Sequence, residues 1–399
     1  MIRIPLNKNM LGHEEIDAAK AVLDSGNLTM GERCRAFERA FADYLGVAHA
    51  VMVNSGSSAN LLAMFALANP LVPGGNGLPP RIQKGSEVIV PALTWSTTVW
   101  PVVQIGAKPV FVDCDPRTLQ MDPKSIEAAI TSQTSAIVVV HVLGGAVNVP
   151  EIRAIAERHN LWLFEDTCES LGVQWDGRHV GSFGQLASFS FYFSHHITTI
   201  EGGMVVTHDA RLAELLRVMR AHGWSRDMDN PAEVARKYSD VDPRFLFVTT
   251  GFNIRPMEIN AAIGSVQLKR LAAFNEQRRQ VASRLDRALS GLDQSGKLCL
   301  IHHDPRVNPA PFGYTVICRN RAERDGLVHH LEKAGIETRP VICGNLVRQP
   351  AVEHIDHRVS GDLAGANRVM DCGLYWGSHP DMTDDDVDYI VKAVKAYFQ

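Results

Sequence analysis

The chain has 399 residues, enough for one large α/β domain with an appendage or for two or three smaller domains. Its 40 Lys and Arg against 44 Asp and Glu leave a formal charge of −4, without the basic surplus that a dedicated nucleic-acid binder uses to displace counterions. Apolar residues at 45% and charged ones at 21% suit an ordinary globular protein, and no apolar run approaches the roughly 20 residues of a membrane span.

In chain order, the stretch from Met1 to Lys8 lacks a secretory apolar region. Helical apolar spacing then runs from about Glu14 to Tyr44, broken at Gly26-Asn27. Ala48–Val53 reads as a strand, followed by the small-residue turn Asn54-Ser55-Gly56-Ser57-Ser58-Ala59-Asn60 and a helix through Ala68, the layout of a backbone anion site at a helix N-terminus. Residues 69–84 hold four Pro and three Gly and read as a surface loop. Short apolar runs at Glu87–Val90, Val110–Asp113, Ile137–Leu143 and Leu161–Phe164 alternate with helical stretches near 123–130 and 150–159, which predicts a parallel sheet covered on both faces. Ser188–Phe193 and Gly202–Thr207 are further strands, and 225–244 is a polar surface excursion. Pro256 to about Leu289 reads as a long amphipathic helix with a break. The remainder gives strand, helix, strand, helix, the last opened by Thr383 as an N-cap before three Asp residues. The expected organisation is a large domain over 1–254 and a smaller α+β domain over 255–399. Seven scattered cysteines, none in a C-x-C or C-x-x-C pair, point to a reducing cytoplasm and a metal-free protein.

Ligands of open parallel sheets bind beyond the carboxyl ends of the strands. Gly56-Ser57, Trp95, Asp166 and His195 all fall at such ends. Singly, each has a bland role as N-cap, half-buried aromatic, turn former or structural histidine. Together they match one cofactor. Gly56, Ser57 and Ser190 offer N–H groups and hydroxyls to a phosphate, and Trp95 offers a face to a flat ring. Asp166 offers the carboxylate that keeps a pyridinium nitrogen protonated, so that the ring acts as an electron sink. The set reads as a site for pyridoxal or pyridoxamine 5'-phosphate.

Several strings in fixed order carry a resemblance: Asn54–Asn60, Phe164-Glu165-Asp166-Thr167-Cys168-Glu169, Ser188-Phe189-Ser190, Glu201-Gly202-Gly203-Met204 and Gly251-Phe252-Asn253-Ile254-Arg255-Pro256. Nearly the whole chain resembles the DegT/DnrJ/StrS-type sugar aminotransferases, which act on nucleotide-linked keto-sugars. The resemblance implies the aspartate-aminotransferase fold (fold type I of the pyridoxal phosphate enzymes), with a mostly parallel central sheet and a smaller C-terminal α+β domain. It also implies that Asn253 reaches the cofactor phosphate across the interface of a homodimer, and that Glu169 lies against the cofactor ring.

One departure is informative. Transaminases of the family carry a cofactor-tethering lysine six residues before Glu-Gly-Gly, where this chain has His195, and no lysine occurs between Lys124 and Lys237. An imidazole cannot tether the cofactor, so pyridoxamine phosphate is expected to bind non-covalently. His195, of a residue type with a reference pKa of about 6.5 against about 10.4 for lysine, suits the base that takes a proton from the cofactor and the acid that returns it to a departing C3 hydroxyl. The expected outcome is a 3-deoxy-4-keto sugar with loss of ammonia. This resembles the histidine-bearing sugar 3-dehydratases of the family. The missing C-x-C pair favours the kind without an iron–sulfur cluster, which renews pyridoxamine with L-glutamate and acts on GDP-4-keto-6-deoxy-D-mannose on the way to colitose, a lipopolysaccharide O-antigen sugar. Leu93–Thr98, Arg220–Trp224 and Gly335–Pro340 resemble that kind, whereas 69–85 and 225–244 differ in character.

His222, Arg226, Arg255 and Arg339 are candidates for substrate contacts, the guanidinium forks suiting a diphosphate or a glutamate carboxylate. His196 exchanges roles with His195 if the turn is displaced by one residue. An aminotransferase using a lysine from elsewhere in the fold, the same dehydration on a CDP- or dTDP-sugar, and a non-catalytic relative stand as alternatives.

Overall fold

A computed structural model describes residues 3–75 and 77–399. The first strands in chain order are β1 (His49–Val53), β2 (Glu87–Pro91), β3 (Lys108–Val112), β4 (Thr134–Val140) and β5 (Trp162–Asp166). Next come β6 (Gln174–Trp175), β7 (Arg178–His179), β8 (Leu186–Ser190) and β9 (Gly203–Thr207). The rest are β10 (Leu298–Leu300), β11 (Val307–Asn308), β12 (Gly313–Cys318), β13 (Thr338–Arg339), β14 (Arg358–Val359) and β15 (Gly373–Gly377).

Eight of them form the central sheet in the order β1-β9-β8-β5-β4-β2-β3-β14. Its neighbouring pairs are parallel except where β9 meets β1 and β8. Alternate side chains feed opposite faces: Ala136, Val138 and Val140 enter one core, Ile137 and Val139 another. Because both faces are covered, the strands read as nearly continuous apolar runs.

Residues beyond 255 supply the whole second, antiparallel sheet, β10-β12-β15-β13. Two short segments run against that division. Ile4 bridges Ile336 and packs in the core of the smaller sheet, while β14 joins the edge of the large one. The helix expected to break over Pro256–Leu289 is instead a single 37-residue helix, Glu258–Gln294. Gly264, its early glycine, does not interrupt it: a Cβ there would press on the Phe37 ring, so the missing side chain allows close packing. The excursion over 225–244 is largely exposed and holds one short α-helix, Pro231–Lys237, between the 3-10 turns Ser225–Asp227 and Pro243–Phe245. Thr383 does cap Asp384–Tyr397, in a reciprocal box with Asp386.

The helix Glu32–Leu45 begins at Gly31, which has no side chain to satisfy the first amides. Glu258 does so from the long helix, accepting from Gly31 N at 2.7 Å, Cys34 N at 2.8 Å and Arg33 N at 2.9 Å. Burial alone would raise its pKa, but these donors, with the Cys34 thiol, hold it below the ordinary glutamate value of 4.5. Glu258→Gln should therefore cost about 2–3 kcal/mol at neutral pH, read as a lower urea midpoint at unchanged m. That deficit should begin to shrink as the pH falls below 4.5, where the unfolded chain's glutamate takes up a proton that the folded carboxylate still refuses, and level off once the pH passes below the lowered pKa of the folded carboxylate.

Candidate active site

A cavity of about 490 Å³ opens at the carboxyl ends of β5 and β8. Gly56, Ser57, Trp95, Asp166, Glu169, Ser190 and His195 all line it. Ser55 takes the ordinary capping role at the helix Gly56–Leu67, its hydroxyl accepting from Ser58 N at 3.0 Å. This leaves the amides of Gly56 and Ser57 without a protein acceptor among the described residues, at the positive end of the helix. A Cβ on Gly56 would run into Ser190, so only glycine lets that turn approach the end of β8.

Asp166 ends β5, 4% exposed. Its Oδ2 accepts from Asn60 Nδ2 at 2.8 Å and Thr98 Oγ1 at 2.7 Å, and its Oδ1 from Cys168 N at 3.1 Å. Asn60 is itself oriented by Ser188 Oγ, which donates to its Oδ1 at 2.5 Å. Asn60 and Thr98 were not among the residues singled out from the sequence. The usable signal was helical spacing, since Asn60 lies one turn beyond Gly56 and Thr98 one turn beyond Trp95. Trp95 is 55% exposed at the N-cap of Ser96–Gln104, and presents its indole at the cavity. An anion-binding helix end, an exposed aromatic face and a carboxylate fixed by three donors fit a phosphorylated pyridine ring.

Glu169 accepts from Leu143 N at 3.1 Å. Loss of solvation, and beyond that bond the neighbouring Asp166 charge, push its carboxyl up to about 7. His195 stands in the loop that leaves β8, with its amide on Tyr192 O at 3.0 Å. Its Nδ1 is buried without a partner, and the ring meets the Phe312 ring edge-on at 5.2 Å. Burial, then the Arg278 charge, bring its pKa down to about 4. His196 is buried outside the cavity lining, with Nε2 at 2.8 Å from Ala310 O. The register thus sets His195, not its neighbour, at the cavity. No lysine lines it.

Asn253, His222, Arg226, Arg255 and Arg339 lie outside this lining. Asn253 is exposed, takes Arg255 Nε at 3.0 Å, and pairs with Ala221 in an isolated bridge. His222 sits there at φ 66°, edge-on to Trp224, and the Arg226 guanidinium lies 3.6 Å over that indole. Arg339 on β13 pairs with Glu337 at 2.8 Å. Among the described residues no group of three or more His, Cys, Asp or Glu could hold a metal, and no helix is long and apolar enough to cross a membrane.

Residues 9–395 match the DegT/DnrJ/EryC1/StrS aminotransferase family. The chain is 37% identical over 385 residues to the GDP-4-keto-6-deoxy-D-mannose 3-dehydratase of Yersinia pseudotuberculosis, covering 95% of each protein. It superposes with a TM-score of 0.90 on GDP-4-keto-6-deoxymannose-3-dehydratase carrying a trapped PLP-glutamate geminal diamine, at 35% identity over 98% of this chain and 100% of that one. The E. coli GDP-4-keto-6-deoxy-D-mannose-3-dehydratase with bound hydrated PLP gives a TM-score of 0.89 at 36% identity, over 99% of this chain and 100% of that one.

The carboxyl of Glu169 should titrate near pH 7 in carbon-13 NMR of glutamate-labelled protein. Asp166→Asn should lower that midpoint, because removing a neighbouring negative charge favours the ionised form.

Proposed function

The chain belongs to the DegT/DnrJ/EryC1/StrS aminotransferase family, and on that premise we propose that it is a 3-dehydratase of GDP-4-keto-6-deoxy-D-mannose, dependent on pyridoxal/pyridoxamine 5'-phosphate and using L-glutamate as amino donor. The observation that carries this reading is a cavity with His195 at the position of the family's tethering lysine and no lysine among its lining residues. When bound, the cofactor supplies a primary amine for the C4 ketone and a conjugated ring that takes up electrons.

The chain's own groups bind, orient and move protons. The free amides of Gly56 and Ser57, with the Ser190 hydroxyl, hold the phosphate. Trp95 would cover one ring face and Glu169 would lie against the ring, while Asp166 would pair with the ring nitrogen. His195 takes a proton as neutral imidazole and returns it to the leaving C3 hydroxyl. Its low pKa of about 4 leaves the imidazole free of its proton at neutral pH and makes its conjugate acid a strong donor to the leaving hydroxyl, while weakening it as the base of the first half. Without a lysine to keep the nitrogen on the sugar, the products are a 3-deoxy-4-keto sugar, ammonia and 2-oxoglutarate. For each sugar oxygen lost, one glutamate is oxidised and one ammonia released.

The cluster around Asn253 and His222 belongs, in this reading, to a homodimer interface. Asn253 then serves the partner's phosphate, and His222 and Arg226 face the partner's substrate. Support comes from the placement of exposed Asn253 and Arg226 and half-buried His222 near Phe245 and Phe247, large apolar side chains open to solvent. Arg339, beside Glu337 at 2.8 Å, is assigned to a substrate carboxylate or diphosphate. Seven free cysteines suit a cytoplasmic enzyme.

His195→Asn should lower the dehydration rate by about 10²–10⁴-fold while cofactor absorbance on titration stays near wild type. The assay is a panel of GDP-, CDP-, dTDP- and UDP-linked 4-keto-6-deoxy sugars with glutamate, scored for ammonia, 2-oxoglutarate and deoxysugar. A 4-amino sugar without ammonia, or a borohydride-stable adduct on a lysine, would replace this reading with aminotransfer.

A further inference from the structure

Arg278 projects from the long helix Glu258–Gln294 into a region only 2% exposed. Buried guanidinium groups ordinarily face a carboxylate. Among the described residues Arg278 forms no ion pair. Its Nη1 donates to three carbonyls instead, Ser378 O at 2.9 Å, Phe312 O at 3.2 Å and Pro311 O at 3.3 Å, and its Nε is buried without an acceptor.

Two of those carbonyls belong to a strap, residues 310–312, whose other side meets the histidine loop. Ala310 O accepts from the His196 ring at 2.8 Å, and the Phe312 ring lies edge-on to His195 at 5.2 Å and 5.7 Å from His196. Among the described residues no hydrogen bond orients the His195 imidazole, whose Nδ1 is buried and unpartnered. Packing must do it: Phe312 on one side, and Tyr192 edge-on at 5.9 Å from its own loop.

Resting on the assignment of His195 as the proton carrier, we propose that Arg278 is a positioning residue of the reaction: it fixes the 310–312 strap that clamps the imidazole, and sets an unpaired positive charge behind the ring. The charged and titratable groups around His195 are few. Arg278 and His196 lie behind it, Tyr192 stands beside it, and Asp166, Glu169 and Glu201 share the cavity in front. His379 packs near Arg278 and is held low by burial and by that same charge, with Lys8 adding to the effect and Asp381 and Asp386 opposing it. The basic side thus carries no carboxylate of its own against the guanidinium. A proton on His195 is tolerated only transiently, which suits a group that must hand it on within one turnover.

The test follows the His195 ring by nitrogen-15 NMR in histidine-labelled protein, with and without pyridoxamine phosphate, the signal assigned by its loss in His195→Asn. Wild-type His195 should titrate well below 6.5. Arg278→Gln, which keeps a donor but not the charge, and Arg278→Met should each raise that midpoint by on the order of one pH unit. Arg278→Lys should hold the low midpoint and yet lower kcat with KM little changed, since the lysine nitrogen ends one bond short of the Nη1 that holds the strap carbonyls. An unchanged midpoint in the Gln or Met variant overturns the proposal. So does a wild-type midpoint at or above 6.5, a result that stands even if both neutral variants fail to fold. Dehydration that survives in His195→Asn would instead remove the functional assignment and leave the titration result intact.

Discussion

The site rests on how the Asp166 carboxylate is held. Asn60 comes from the helix after β1, Thr98 from the helix after β2, Cys168 from the turn after β5, and Ser188, which orients Asn60, from β8. One buried carboxylate therefore ties together four segments that are distant in sequence. Hydrogen bonds to a charged group contribute about 1.5–3 kcal/mol each, and losing one inside a closed site leaves the remaining partners unsatisfied. The floor of the cavity is consequently rigid in the directions that matter for a ring held by its nitrogen at one end and its phosphate at the other.

Against that fixed floor, the proton-transfer side is built differently. Asp166 is surrounded by donors, whereas the His195 imidazole packs against rings and has no hydrogen-bond partner among the described residues. The fold also contains a histidine set against a carboxylate, His141 and Glu165, 3.0 Å apart and fully buried. There Glu165 also accepts from the amides of Gly181, Phe183 and Gly184, which is structural use of a histidine. His195 is kept from any such partner. The contrast between the two histidines is between a ring tied to a buried carboxylate and one that packing alone holds at the cavity.

On the proposed reading, the cluster of exposed Asn253 and Arg226 with half-buried His222 is where a single chain divides its functional groups. These residues meet one another through the Ala221–Asn253 bridge and the stacked Trp224, away from the cavity that holds Asp166 and His195. Such a split is economical in a symmetric assembly, where each copy of a surface faces another copy of the site.

Apolar runs closed on both faces, small-residue turns and the order of Gly56, Trp95, Asp166, Ser190 and His195 were legible in the linear chain, because strand period, capping chemistry and strand-end position are local properties. So was the histidine that stands where the family's transaminases carry a tethering lysine. Other features depended on distant pairing. The sequence pattern implied a break in the long helix, yet Gly264 lies against Phe37 and the helix runs through. Asn60 and Thr98 gain meaning only when two helices converge on one carboxylate, and the choice between His195 and His196 was settled by which ring Ala310 draws away from the cavity. Residue types and their order dictate which chemistry is available. Only the folded chain decides which groups lose water and which charges stand beside them, and those conditions set the protonation behaviour of His195 and Glu169.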